Sequence, residues 1–406
     1  MMVEGEHSSL TKTPKELANP LEGKLQSLAV CLSHSWGGLE QVAANDALDL
    51  GRLGLGVKLL CLEGTPIHEY LVRRKEVEVI PLDFRPRNSF DFKLRHELYR
   101  LLDQGVNLIH THQTTLLGSL APWLWRHPMV PLIAMRHIMN SHNKKDFFHR
   151  MIYGRVDSLV VMSQALQRNV LATHPILAGD VKVINLGLDF DLFNPSHVDP
   201  SAQRLAWGVD SETRVIGMVG RIDPAKGQAT FIKAAASLLT KLKEGEKIKF
   251  VIVGEETLGG TGDYLDELRG MVSQFGLEND VIFAGYQKNI PEVMRSFDVF
   301  VMPSRQEAFG LVAIEAMAME CPIVISSGGS ADEIVGNQQF GLTVRPDDAF
   351  DLQRQLRALL DQPIERVEMG KRARDHVRNT YDRQVRIRKT LELYTQVLLK
   401  RKAITI

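Results

Sequence analysis

Two clusters in the chain combine residue types and spacing suited to a phosphorylated ligand. In Gly220-Arg221-Ile222-Asp223-Pro224-Ala225-Lys226-Gly227, two cations five residues apart lie on a turn between a strand and a helix, where they can clamp a diphosphate. The turn is not a P-loop, because Gln228 takes the Ser/Thr place and the lysine precedes the second glycine. Without a ligand, both cations would be ordinary surface charges. In Glu307-Ala-Phe-Gly-Leu-Val-Ala-Ile-Glu315 the two glutamates are eight residues apart, so on a helix they would share roughly one face. If Glu307 instead precedes the helix, its carboxylate stands beside the N–H groups of Gly310 and Leu311, a helix N-terminus that suits a phosphate. The plainer alternative is one capping glutamate and one buried or solvated one.

Two more clusters lie earlier in the chain. Ser33-His34-Ser35-Trp36-Gly37-Gly38-Leu39-Glu40 is a turn in which Gly37 and Gly38 let backbone N–H groups approach an anion. A tight turn that binds nothing fits the same residues. Six of the thirteen histidines fall within His110–His149. His110 and His112 alternate like a strand end, and His137 follows an apolar run. No H-E-x-x-H and no neighbouring cysteine accompany them, so no metal is expected, and a histidine acting through hydrogen bonds is the economical reading.

These clusters need elements to position them. Short Val/Ile/Leu-rich runs alternate with longer helical patterns, as in βαβ units around a parallel sheet. Strands are expected at Leu25–Leu32, Val57–Leu62, Val77–Pro81, Leu108–His110, Leu132–Met135 and Leu159–Met162. A second series is expected at Arg214–Val219, Lys249–Val253, Val281–Phe283, Val299–Met302 and Pro322–Ile325. The clusters fall after strands, the ligand edge of a doubly wound sheet. The proline-bearing stretch Asn194–Asp210 is the expected boundary between a first domain at 25–205 and a second at 206–380, behind a polar extension at 1–24. The helical tail, 381–406, is expected to dock back on the first domain. Two such halves would leave a ligand cleft between them.

Composition narrows the setting. The 406 residues suffice for two or three domains, and 49 Lys+Arg balance 49 Asp+Glu, which gives no global attraction to nucleic acid. Basic groups gather at Arg73-Arg74-Lys75, at Arg85 and Arg87, at Lys144, Lys145 and Arg150, and along Arg383, Arg386, Arg388 and Lys389. Solvated faces are the default for these; peripheral contact with an anionic inner-membrane leaflet is the alternative. Cys31, Cys61 and Cys321 form no pair motif and read as core residues of a reduced, cytoplasmic protein. No apolar run approaches the length of about 18 residues needed to span a membrane, and no secretory leader is expected.

Together the motifs resemble a GT-B glycosyltransferase of the retaining family 4 (glycosyl transferases group 1) from about Leu25 to the end. VGRIDPAKG resembles that family's G-R-x-x-x-x-K-G loop and EAFGLVAIE its E-x7-E region. WGGLEQ, LIHTHQ and VINLGLDFDLF resemble its glycine loop, strand-end histidine motif and N-G-V-D-x-x-x-F segment. The resemblance implies an α/β fold of two Rossmann-like domains facing across a cleft, and a metal- and cofactor-independent transfer of sugar from a nucleoside diphosphate, UDP before GDP. The implied acceptor is a saccharide or lipid-linked molecule, in bacterial surface polysaccharide or lipopolysaccharide synthesis.

By the same resemblance, Arg221 and Lys226 bind the donor diphosphate, Gly37 and Gly38 approach it, and Gly310 and Leu311 donate N–H groups. Glu315 holds the ribose, and Glu307 and His137 sit by the transferred sugar. Gln306, Ala308, Leu186, Leu188 and Ile138 depart from the usual pattern without removing a required charge. A nucleotide-sugar 2-epimerase and a non-catalytic scaffold on the same fold are the rival readings.

Overall fold

The computed structural model describes residues 12–86, 91–256, 263–305 and 307–402. Arg87, Gln306, residues 1–11 of the 1–24 extension and the last residues of the tail lie outside these. The chain divides into two compact units, Met1–Gly187 with Arg383–Ile406, and Leu188–Asp382.

The first unit holds seven parallel strands: β1 (Gln26–Cys31), β2 (Gly56–Leu62), β3 (Glu78–Leu82), β4 (Leu108–Thr111), β5 (Leu132–Arg136), β6 (Ser158–Val161) and β7 (Val181–Val183). Their order is β3-β2-β1-β4-β5-β6-β7. The chain turns back at β1 and β4, the place where a doubly wound sheet opens to ligands. Strands β4, β5 and β6 are buried throughout, as continuous apolar runs require when helices cover both faces. Helices α1 (Gly38–Arg52), α2 (Phe92–Asp103), α3 (Leu117–Leu124), α4 (Phe147–Tyr153) and α5 (Gln164–Thr173) supply much of that cover. Side-chain caps begin three of them: Asp91 accepts from Leu94 N, Asp146 from His149 N and Ser163 from Leu166 N.

The second unit holds six parallel strands: β8 (Arg214–Val219), β9 (Ile248–Val253), β10 (Val281–Gly285), β11 (Val299–Met302), β12 (Ile323–Ser326) and β13 (Leu342–Val344). Their order is β10-β9-β8-β11-β12-β13. Three helices follow the loops after β8, β11 and β12: α6 (Gln228–Leu239), α7 (Leu311–Ala318) and α8 (Ala331–Val335). The core beneath them packs Phe231 against Phe250, ring centroids 5.5 Å apart, with Ile216, Ile252, Leu268 and Leu352 around them.

Two expectations about the elements change. The first boundary falls at Gly187/Leu188 instead of 205/206, because the proline-bearing stretch wraps the second unit. Arg204 donates to the carbonyls of Ser296 (3.0 Å) and Asp210 (2.9 Å), and Trp207 stacks on Phe297 at 5.7 Å. The tail helix begins later than expected. Tyr381 closes the helix Pro363–Tyr381, Asp382 is extended, and Arg383–Lys400 starts a new helix that belongs to the first unit.

Candidate functional site

In the second unit, the loop after β8 and the loop after β11 are fastened together. Arg305 N donates to Ala225 O at 3.0 Å, and Gly227 (φ +79°) lies so close to Pro303 that a Cβ would stand 2.2 Å from its carbonyl oxygen. This seam brings Lys226 to Glu307: Nζ and Oε2 are 2.9 Å apart. Glu307 precedes α7 and does not ride on it, so the shared-face reading of the two glutamates does not hold. Its carbonyl accepts from Ser330 N (3.3 Å), and the Ser330 hydroxyl donates to Phe309 O (2.7 Å), which ties the segment to the glycine turn ahead of α8.

Arg221 is half exposed and donates to Asp223 at 2.8 Å. Asp223 also caps the following turn by accepting from Ala225 N, the bond that holds its carboxyl below the usual range, with the Arg221 contact adding to it. Gln228, fully buried, braces this loop by donating to Arg221 O at 2.8 Å; its Oε1 has no partner among the described residues. Both cations expected to meet a diphosphate therefore rest on carboxylates of the chain itself.

Helix α7 begins at Gly310 in the left-handed region (φ +81°), where a Cβ would press on Ile334 at 2.8 Å. Among the described residues, the N–H groups of Gly310 and Leu311 have no protein acceptor. The carboxyl of Glu315, the fifth residue of α7, makes no hydrogen bond or ion pair among the described residues. Desolvation pushes its carboxyl up to about 8.

In the first unit, the turn after β1 leads into α1 with Gly37 at its N-cap. Glu40, buried, reaches back so that Gly37 N donates to its Oε2 at 2.8 Å. The chain's own carboxylate thus takes one of the N–H groups expected to approach an anion; Gly38 faces open space.

His137 follows β5 and heads a column of rings. His110 and His112 stack at 4.6 Å, and His112 stands 6.3 Å from His137. His110 Nδ1 meets the Tyr394 hydroxyl at 2.8 Å, and Arg386 on the same C-terminal helix chelates Asp46 of α1, with Nε–Oδ1 at 2.6 Å. Burial pushes His137 down to about 3 and His110 to about 4, so both are neutral imidazoles at pH 7. Among the described residues, no three His, Cys, Asp or Glu side chains are grouped to hold a metal ion.

Residues 201–376 match the family described as glycosyl transferases group 1, and residues 36–192 match glycosyltransferase family 4. The chain belongs to the group 1 glycosyltransferases. It is 25% identical over 370 residues to the D-inositol 3-phosphate glycosyltransferase of Corynebacterium aurimucosum, across 84% of this chain and 86% of that one. It is 23% identical over 392 residues to the UDP-Gal:alpha-D-GlcNAc-diphosphoundecaprenol alpha-1,3-galactosyltransferase of Escherichia coli, across 93% and 98%. A crystal structure of a glycosyltransferase from Rickettsia africae superposes with a TM-score of 0.83 at 20% identity, covering 92% of this chain and 99% of that one. The two parallel sheets are the GT-B architecture.

For this glycosyltransferase, the residues that the sequence pattern selects fall on both units: Arg221, Lys226, Glu307, Gly310, Leu311 and Glu315 on the second, Gly37, Gly38 and His137 on the first. The pattern misses the long-range contacts within each unit. The Lys226–Glu307 pair joins residues 81 apart, and the Tyr394–His110 contact spans 284. Arg383 and Arg386 were expected on a solvated face; instead they bind Asp49 and Asp46, and Arg386 is buried.

Proposed function

We propose that the enzyme transfers a sugar, with retention, from a nucleoside diphosphate, UDP first, to a saccharide or lipid-linked acceptor in surface polysaccharide or lipopolysaccharide synthesis. The observation that carries the donor reading is Glu315. A carboxyl held up to about 8, without a partner among the described residues, behind the free N–H groups of Gly310 and Leu311, is suited to accept from ribose hydroxyls while those N–H groups meet phosphate oxygens. Lys226 has ammonium donors beyond the one given to Glu307, and Arg221 can turn from Asp223 to the diphosphate.

As the bond from the anomeric carbon to phosphate breaks, negative charge grows on the diphosphate. Arg221, Lys226 and the α7 N-terminus stabilise it without a metal. The acceptor hydroxyl adds to the anomeric carbon on the face the diphosphate leaves, and its proton passes to the departing phosphate. Neutral His137 contributes a lone pair or N–H to the sugar and no positive charge that would oppose oxocarbenium character.

A lipid-linked acceptor agrees with the E. coli relative, named for UDP-Gal and a diphosphoundecaprenol acceptor. It also agrees with the surface of the first unit, where Phe147 is 83% exposed beside exposed Phe148 and Met151, with Lys145 and Arg150 around them. No helix among the described residues is long and apolar enough to cross a membrane. A panel of nucleotide sugars, read as thermal shift and as nucleoside-diphosphate release, tests the donor. UDP and UDP-sugars should raise the melting temperature. Release with no acceptor requirement and reversible isomerisation would favour the epimerase instead; binding with no turnover under any acceptor would favour a scaffold.

A further inference from the structure

Among the described residues four arginines are buried: Arg136, Arg155, Arg366 and Arg386. Three of them meet a carboxylate. Arg155 lies 3.1 Å from Asp157, Arg386 2.6 Å from Asp46, and Arg366 3.9 Å from Asp298. Arg136 meets none among the described residues. Its guanidinium donates only to neutral oxygens, Ile138 O at 2.8 Å and Thr114 Oγ1 at 2.9 Å, although 94% of its surface is lost. A cation withdrawn from water without a counter-charge is unfavourable, and folds retain one where something else supplies the charge.

The neighbours add positive charge. Burial foremost, and the Arg136 charge after it, hold Lys144 below its ordinary range; the same causes, with Lys144 contributing, push His174 down to about 4. His174 is fully buried, its Nδ1 is 2.8 Å from the Thr173 hydroxyl, and its Nε2 has no partner among the described residues. The Tyr153 ring stands edge-on to it at 5.3 Å. Asp146, on the same segment, is spent capping α4 and pairing with His149 at 2.5 Å.

The position matters as much as the charge. Arg136 ends β5, one residue before His137, and Thr114 follows the adjacent strand β4, so the guanidinium sits at the carboxyl edge of the sheet where α/β folds receive ligands. We propose that Arg136, assisted by Lys144, binds a phosphate group of the acceptor, so that the enzyme's acceptor is a phosphate or diphosphate ester and not a neutral sugar. The inference rests on the glycosyltransferase reading given above. Donor phosphates share this chemistry, but Arg221, Lys226 and the α7 N-terminus are available to them in the second unit. Both relatives described above are named for acceptors that carry phosphate.

The test is calorimetric titration of the full-length protein, first with UDP and then, at saturating UDP, with inorganic pyrophosphate. Wild type should bind pyrophosphate alongside UDP, and Arg136→Gln and Lys144→Ala should each weaken that binding about tenfold or more while UDP affinity holds. Lys144→Ala alters a partly exposed side chain and keeps the result decisive if Arg136→Gln fails to fold. Pyrophosphate that competes with UDP, or binds both variants as it binds wild type, or fails to bind wild type at millimolar concentration, overturns the proposal. Absence of UDP binding with Arg136-dependent pyrophosphate binding intact would remove the donor reading and leave the anion site.

Discussion

If Glu315 holds the donor as proposed, donor binding depends on pH. Below about 4.5 its carboxyl is protonated in the folded and unfolded chains alike; between there and about 8 the unfolded chain ionises while the folded protein holds the proton. The residue therefore erodes stability as pH rises through that window. Glu315→Gln should raise the melting temperature at pH 8 with little effect at pH 4.5, while weakening UDP binding by about tenfold to a hundredfold, the range for hydrogen bonds to a charged group. In wild type, UDP affinity should increase between pH 6 and 8, because the hydroxyls favour the carboxylate; a flat profile would separate Glu315 from the ribose. The Lys226–Glu307 pair makes a second prediction. Lys226→Ala should cost about 2–5 kcal/mol in UDP binding and turnover together. Glu307→Gln frees the ammonium, so UDP binding should persist while sugar transfer falls. Equal loss of both in each variant would show that the pair matters only as structure.

The loops that hold these side chains were only partly legible in the sequence. Runs such as Arg214–Val219 and Lys249–Val253 announce buried parallel strands because apolar residues continue without alternation. β7 and β13 were missed, since three residues carry no period and each is an edge strand. Arg221 and Lys226 were visible by spacing; Glu315 stood out only through the family resemblance, since spacing alone favoured a buried or solvated helix residue. Arg136 was not: an unpaired buried cation becomes visible only when every carboxylate that could meet it has been placed. The seam at Gly227 was equally hidden, because a close approach to Pro303 O is a tertiary fact. Gly227→Ala should shift that loop and weaken UDP binding with both sheets intact; unchanged affinity would show the seam can relax. On the C-terminal helix, Arg386→Ala leaves Asp46 buried and unpaired, which should cost about 3–5 kcal/mol by denaturant titration, with much of it recovered in the Arg386→Met/Asp46→Leu double variant.

At the scale of the whole molecule, net charge is zero and the working charges are local. Attraction to a membrane must then come from patches such as the one around α4. Co-sedimentation with vesicles containing an anionic lipid should fall when Phe147 and Phe148 are replaced by Ser, and neutral vesicles should bind less than anionic ones. Association that ignores both changes would locate the contact elsewhere. A chelator should leave sugar transfer unchanged, since the proposed phosphate ligands are Arg221, Lys226 and backbone N–H groups; strict dependence on a divalent ion would overturn that route.

The second unit is spliced into the first. It leaves at Gly187/Leu188 and returns at Asp382/Arg383, and Leu188 N donates to Tyr381 O at 2.7 Å. On the other side of that junction, a Cβ on Gly187 would lie 2.7 Å from Arg383 Cα. Entry and exit are therefore neighbours, and the second unit has the connectivity of a cassette. A different second unit could be grafted between the same two points, and the first unit could be closed by a short loop, so recombination at this junction can exchange one unit without cutting through the other's sheet.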